Sequence, residues 1–130
     1  MGQARSDAIV LDAGALIAFE RGQPKMRALC REALRRGTRF VVPAGVVGQV
    51  IRDLARQVEL RGLLHARITQ VDSLNHALAE AAGVLCGKSG TSDVIDASVV
   101  LTARRNRAAI VSGDAKDLKR LDPSLKVHAI

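Results

Sequence analysis

The chain has almost no aromatic residues: of its 130 residues none is Trp or Tyr, and only two are Phe. Its core must therefore be built from aliphatic side chains, and base stacking on exposed rings is disfavoured as a way of binding nucleic acid. Cysteine is nearly as scarce, because only Cys30 and Cys86 are present. Two isolated cysteines exclude a disulfide framework and argue against a zinc site. We expect both to be small buried hydrophobic residues.

Long apolar runs are also missing. No stretch approaches the length of a membrane span, and the first residues, MGQARSDAIV, contain no signal-peptide hydrophobic region. We therefore expect a cytoplasmic protein. A length of 130 residues and a hydrophobic content of 48% predict a single globular domain over residues 1–130 and exclude a disordered chain.

The charge balance is strongly basic, with a net charge of +7 and a pI near 10.4. A basic surface favours a polyanionic partner, but the charge alone does not choose between nucleic acid, an acidic protein and simple solubility. If RNA binds, Arg and Lys side chains should contact its phosphates.

Short apolar runs alternate with longer amphipathic stretches along the chain. The predicted strands cover residues 7–12, 40–42, 68–71, 109–111 and 125–130. The predicted helices cover residues 13–20, 25–36, 44–58, 61–67, 73–86 and 91–103, with a helical turn near 116–121. This alternation predicts a three-layer α/β fold, with a central, mostly parallel sheet of about five strands flanked by helices.

The stretch TSDVIDASVVLTA, residues 91–103, is apolar on nearly every side and predicts a buried helix. Two carboxylates, Asp93 and Asp96, lie three residues apart on one side of its first turn. Helix capping, with Ser92 or Asp93 as the N-cap, explains Asp93 well. Asp96 leads into the most apolar run of the chain, and a carboxylate near a core is costly unless a cation meets it.

Two further acids follow predicted strands directly. Asp12 ends the run DAIVLD, and Asp114 follows the run AIVSG. The carboxyl ends of parallel strands share one sheet edge, so both acids should lie where ligands bind in open α/β sheets. A carboxylate cluster without His or Cys favours Mg²⁺ or Mn²⁺. Such a site with basic surroundings suits phosphoryl transfer, in which the metal activates water.

The segments IVLDAGALIA, VVPAGVVGQVIRD, SDVIDASVVLTA and AIVSGDAKDL together resemble the PIN domain family. More narrowly, the chain is similar to the VapC-like toxins of bacterial toxin–antitoxin pairs, over nearly its whole length. The resemblance implies a metal-dependent endoribonuclease with a parallel sheet, a homodimer, and neutralisation by a cognate antitoxin.

The resemblance also implies roles for particular residues. Asp12, Asp96 and Asp114 match the family's acids and would be the catalytic metal ligands, while Ser112 matches a nearby hydroxyl position. Asp93 would assist as a metal ligand, and Asp117 would be an auxiliary or indirect ligand.

One position departs from the family pattern. Where the family usually has a Glu on the helix after the second strand, this chain has Gln49. An amide oxygen can coordinate a metal ion but supplies no charge. Asp53, one helical turn later in the predicted helix 44–58, is a candidate for compensation, and Gln49 itself would orient water or a phosphate oxygen.

Three functions remain open at this point. The first is the toxin-type endoribonuclease. The second is a catalytically weakened PIN-like protein that binds RNA or a partner, and position 49 separates it from the first. The third is a phosphate-binding or structural α/β domain in which the acids are helix caps. The missing Gly-rich phosphate loop and the convergence of strand-end acids argue against the third.

Overall fold

A computed structural model of the chain describes residues 7–130, and residues 1–6 lie outside the described part. All strand pairings in residues 7–130 are parallel, and the strands form one five-stranded sheet in the order β3-β2-β1-β4-β5. The strands are β1 (Ala8–Leu11), β2 (Arg39–Pro43), β3 (Thr69–Asp72), β4 (Ala109–Ser112) and β5 (Val127–Ala129).

Helices connect the strands. They are α1 (Ala13–Glu20), α2 (Pro24–Arg36), α3 (Ala44–Val50), α4 (Val58–Leu64), α5 (His76–Ser89), α6 (Val94–Asn106) and α7 (Ala115–Leu121). The predicted α/β architecture with a parallel sheet of about five strands is therefore confirmed. No helix within residues 7–130 has the length and apolar character needed to cross a membrane.

The core lies around strands β1, β2 and β4. Val10, Leu11, Phe40, Ile110 and Val111 are all fully buried. A parallel sheet is covered on both faces, so its strands are continuous apolar runs rather than alternating ones. Both cysteines are buried and unbonded, as expected.

Helix α6 is the buried helix that the sequence predicts. Ala97, Val99, Val100 and Thr102 are completely buried. The helix begins at an N-cap, Asp93, whose side chain accepts a hydrogen bond from the backbone N–H of Asp96 at 2.9 Å. The helix ends at Arg107, which has a positive φ of 51°.

The prediction of one helix over residues 44–58 was wrong. Helix α3 ends at Val50, and the buried side chain of Gln57 stabilises the interruption of the predicted helix. Gln57 Nε2 donates to the Val50 carbonyl at 2.8 Å, and its Oε1 accepts from the backbone N–H groups of Arg52 and Asp53. One buried amide thus satisfies three backbone groups that a continuous helix would have paired internally.

Several helix boundaries also differ from the predicted ones, and two of them have a clear physical reason. The predicted helix 73–86 begins at His76 instead, because the Asn75 side chain caps it by accepting from Leu78 N–H at 2.9 Å. The predicted segment 61–67 is α4, which begins at Val58, because the chain turns after α3 instead of continuing it.

Candidate metal centre

The carboxyl end of β1 places Asp12 at the centre of the sheet, with a neighbouring strand on either side. Its backbone N–H donates to the Val111 carbonyl at 3.3 Å, so pairing with β4 extends to this residue. Its side chain is buried, and Oδ1 caps α1 by accepting from Ala15 N–H at 2.9 Å. The strand order reverses between β1 and β4, which is where open α/β sheets bind ligands.

Ser112 connects Asp12 with the end of β4. Its hydroxyl is fully buried and donates to Asp12 Oδ2 in a short hydrogen bond. The same Ser112 oxygen accepts from the backbone N–H of Asp114 at 2.7 Å. This relay fixes the start of the β4–α7 loop relative to Asp12. The predicted proximity of Asp12, Ser112 and Asp114 therefore has a direct hydrogen-bonded basis.

Two glycines allow this close approach. A Cβ on Gly14 would lie 2.7 Å from the backbone of Gly113, and a Cβ on Gly113 would lie 3.1 Å from Gly14 Cα. A distance below 3 Å to backbone atoms cannot be relieved by a rotamer change, so the first turn of α1 and the β4–α7 loop contact each other through glycine only. Nothing in the local sequence pattern reveals this contact.

Three carboxylates lie together at this edge. Asp96, Asp114 and Asp117 each offer an oxygen, and these oxygens all lie within 4.8 Å of one another. Asp96 is half-buried, while Asp114 and Asp117 are exposed. Three oxygen ligands without a nitrogen or sulfur ligand suit a hard cation such as Mg²⁺ or Mn²⁺.

Burial and repulsion raise the pKa of two of these acids. Burial is the largest cause for Asp96, and the charges of Asp93, Asp114 and Asp12 add to it, raising its pKa to about 7. The pKa of Asp114 is raised by partial desolvation, by a hydrogen bond shared with Asp117, and by the charges of Asp117, Asp12 and Asp93. Asp12 and Asp93 are thus close enough to act electrostatically on the three-carboxylate cluster.

Asp117 has a more central place than the auxiliary one predicted for it. It lies in the first turn of α7, three residues after Asp114, so both carboxylates project from one side of that helix start. Asp93, Asp96, Asp117 and Arg120 line a small pocket of about 110 Å³. Arg120 is the cation among the lining residues of that pocket, and no sequence pattern predicts a role for it.

Gln49 is exposed on α3. Gly45, one helical turn earlier, packs so tightly on Ile95 that an added Cβ would lie 2.3 Å from the Ile95 side chain. Residues four apart share a helix face, so Gln49 lies on the face of α3 that includes Gly45, which packs against Ile95 at the start of α6.

Asp53 does not continue that face. It follows the break after α3, where its side chain accepts from Ala55 N–H at 3.1 Å and lies 3.6 Å from the Arg56 guanidinium. The expectation that Asp53 sits one turn after Gln49 on the same helix was therefore wrong, because Gln57 ends the helix between them.

Two cations in the last turn of α6 are neutralised. Arg104 Nε donates to Asp122 at 2.8 Å, and Arg105 donates to Asp72 at 2.6 Å, with both acids buried. The hydrogen bonds from Ser124 and Arg104 lower the pKa of Asp122, and its burial opposes them. These pairs join α6 to the loop after α7 and to β3. They consequently belong to the fold rather than to the metal centre.

The comparisons with known proteins agree on the fold. Residues 9–122 match the family described as PIN domain. Sequence comparison with curated proteins finds no match. Among solved structures, VapBC2 from Rickettsia felis, bound to a DNA fragment from their promoter, aligns with a TM-score of 0.72 and 13% identity, covering 95% of this chain and 98% of that chain.

Two further structures align over nearly their whole length. VapBC-1 from nontypeable Haemophilus influenzae gives a TM-score of 0.63 at 17% identity, with coverage of 94% of this chain and 97% of that chain. FitAcB from Neisseria gonorrhoeae gives 0.61 at 14% identity, with coverage of 92% and 95%. At these identities the alignments show a shared fold.

Proposed function

Because this chain belongs to the PIN domain family, we propose that it is a divalent-metal-dependent endoribonuclease that acts as the toxin of a toxin–antitoxin pair. Its substrate would be RNA, cleaved at phosphodiester bonds, and its cofactor Mg²⁺ or Mn²⁺. The observation that carries the proposal is the cluster of Asp96, Asp114 and Asp117 beside buried Asp12 at the central edge of the sheet.

Each acid has a distinct task in this proposal. Asp96, Asp114 and Asp117 hold the ion with their converging oxygens. Asp12 is a further ligand, because a carboxylate has about four lone-pair sites and only two of those of Asp12 accept protein hydrogen bonds. Asp93 caps α6 with one oxygen and adds negative charge from the other. A bound ion would supply activation of water and would offset charge on the phosphate.

The remaining groups position RNA. Arg120, on the same pocket wall as Asp96 and Asp117, is placed to contact a phosphate at the rim. Ser112 fixes the position of the Asp12 carboxylate relative to the loop that carries Asp114. Gln49 can orient water or a phosphate oxygen through its amide but brings no charge toward the ion.

A cognate antitoxin and a second copy of the chain are the proposed protein partners, in the cytoplasm. A cleft of about 610 Å³ between α3, α4 and β3 supports the antitoxin contact. Leu54 and Val71 in its lining are 50% and 44% exposed. Contiguous exposed apolar surface of this kind is typical of partner-binding sites.

The test is cleavage of single-stranded RNA by the purified protein, with Asp96→Asn as the inactive variant. We expect cleavage with Mg²⁺ or Mn²⁺ and none with EDTA, and a loss of at least about 100-fold in Asp96→Asn, since electrostatic stabilisation is usually a dominant contribution. Arg31→Ala, an exposed helix change remote from the cluster, should cleave like the wild type. Equal activity of the wild type and Asp96→Asn would contradict the proposal.

Gln49 favours a second candidate, a catalytically weakened protein that binds RNA or a partner. That function predicts RNA binding without metal-dependent cleavage in the wild type. It also predicts that Gln49→Glu creates cleavage where there was none.

A further inference from the structure

A second cleft, of about 500 Å³, lies at the opposite, amino-terminal edge of the sheet. Its charged lining consists of Arg36, Arg39, Arg107 and Lys126, with His128, and with Asp7 as the one carboxylate among the described lining residues. The strands begin here and end at the carboxylate cluster, so the cleft and the cluster are separated by the full length of a strand, about 13 Å for four residues.

The cations follow the sheet edge in a row. Arg39 opens β2, Arg107 precedes β4, and Lys126 precedes β5, while β1 lies between β2 and β4. Neighbouring strands lie about 4.8 Å apart, so this row extends over roughly 14 Å. A row of separated cations matches the repeating phosphates of a nucleic-acid backbone better than it matches a single small anion.

These cations are poorly neutralised by the protein itself. Within residues 7–130, Arg107 and Lys126 make no ion pair and no side-chain hydrogen bond, whereas Arg104 and Arg105 nearby are paired with buried acids. Arg39 contacts only the neutral amide of Gln70, at 3.1 Å. Arg36 pairs with Glu32 at 3.2 Å, and Arg35 already holds that carboxylate. The edge therefore carries a net excess of positive charge.

Arg107 occupies a backbone position that does not favour arginine. It is the C-cap of α6 with φ 51° and ψ 43°, the left-handed conformation in which Gly and Asn dominate. It is also the one residue other than glycine with positive φ in residues 7–130. Arg107 occupies this position despite the steric preference for Gly or Asn, and its side chain lines the basic cleft.

We propose that this basic cleft is a second RNA-binding site, which holds the phosphate backbone of RNA away from the carboxylate cluster. An acidic protein segment is the less suitable ligand, because Ile9 is the one large apolar side chain among the described lining residues, so the cleft offers little apolar surface for peptide side chains. The identity of the ligand as RNA rests on the proposed function, but the existence of the cleft does not.

The test is equilibrium binding of a fluorescently labelled single-stranded oligouridylate in EDTA, where no cleavage occurs, over a range of salt concentrations. The variant is Arg107→Gly/Lys126→Ala. We expect an affinity loss of at least about tenfold at low salt. The slope of log K against log[salt] should fall in magnitude by about 1.4, since each lost phosphate contact on a single strand contributes about 0.7.

Two controls separate binding from folding and from net charge. Glycine adopts positive φ freely, so Arg107→Gly alone should keep or raise the melting temperature while it weakens RNA binding. Arg31→Ala/Arg61→Ala removes the same charge from exposed helix positions on α2 and α4, and should leave the slope unchanged. Equal affinity and slope for the cleft variant and this control would overturn the proposal.

Polyglutamate identifies the competing ligand class. If the cleft variant lost polyglutamate binding but kept RNA binding, the cleft would bind an acidic protein and the proposal would be wrong.

Cleavage assays distinguish a failure of the second RNA site from a failure of the nuclease function. If the wild type cleaves RNA and the cleft variant binds RNA as tightly as the wild type, only the second RNA site is rejected. If the wild type does not cleave RNA but the cleft variant loses RNA binding, only the nuclease function is rejected.

Discussion

Asp12 and Asp114 occupy similar places but differ in their environment. Asp12 directly follows β1, Asp114 follows β4 after one intervening residue, and each directly precedes a helix. Asp12 is buried, caps α1, and accepts from Ser112. Asp114 is exposed, and its side chain makes no capping bond to α7. The pKa of Asp114 is raised by partial desolvation and by its neighbouring carboxylates.

The difference between Asp12 and Asp114 indicates two ways in which a fold can provide ligands for a proposed metal site. Asp12 is fixed by the fold before any ion binds, and it also stabilises that fold. The carboxylates of Asp96, Asp114 and Asp117 lie within 4.8 Å of one another and repel one another when ionised, so a bound cation would offset their charges. In the proposed metal site, one side is therefore set by the fold, and the other would be completed by the ion.

The largest expected effect comes from truncating the fixed acid. Asp12→Ala removes a helix cap and leaves the buried Ser112 hydroxyl without its acceptor, at a cost of about 3 kcal/mol in the free energy of unfolding. Asp114→Ala loses no capping bond and relieves repulsion, so its cost should stay within about 0.5 kcal/mol. Urea unfolding in EDTA measures both.

The control for this comparison is Asp12→Asn, which can still cap α1 and should cost less than Asp12→Ala. Equal losses for Asp12→Ala and Asp114→Ala would show that the two acids do not differ as the hydrogen bonds indicate.

A smaller effect is expected from restoring a charge on α3. Gln49→Glu adds a carboxylate on the face of α3 that packs against the start of α6, and it should tighten Mn²⁺ binding about tenfold, equivalent to about 1.4 kcal/mol. Repulsion from the other acids in the apo protein limits the gain. Isothermal titration with Mn²⁺ measures it. Asp53→Asn should be silent, because Asp53 lies beyond the end of α3; a weakened affinity in that variant would assign it to the site after all.

The smallest effect is a pH dependence of apo stability. The pKa of Asp96 is about 7 when folded and near its ordinary 3.8 when unfolded, so the folded state binds more protons between these values. Stability in EDTA should therefore fall as pH rises from about 4 to about 7, by roughly 1 kcal/mol for this half-exposed group. Asp96→Asn should flatten the profile, and Mg²⁺ should offset the loss above pH 7. A rise in apo stability over this range would contradict the assigned repulsion.

The sequence predicts the parts of this molecule that depend on local pattern. Continuous apolar runs identify the buried strands, and the acids that follow them, Asp12 and Asp114, must then share a sheet edge. The apolar helix starting near Val94 identifies Asp96 as an acid next to a core. The sequence limits the N-cap of this helix to Ser92 or Asp93, and the structure has Asp93 in that role.

The parts that escaped prediction depend on contacts between distant residues. The buried amide of Gln57 ends α3, although the apolar pattern continues through Leu54 and Val58, which are 50% and 70% exposed. The contact between Gly14 and Gly113 has no signature in either segment. The position of Asp117 within the cluster depends on how α7 is set against α6.

The central claim is that Asp12 is fixed by the fold, whereas Asp96, Asp114 and Asp117 are completed by a metal ion. The most direct test is a crystal structure with Mn²⁺, in which the ion is located by its anomalous scattering. We predict one ion between Asp96, Asp114 and Asp117, with Asp12 in the orientation it already has, still accepting from Ala15 and Ser112. An ion bound elsewhere, or an Asp12 side chain that turns away from Ser112 to reach the metal, would contradict this account.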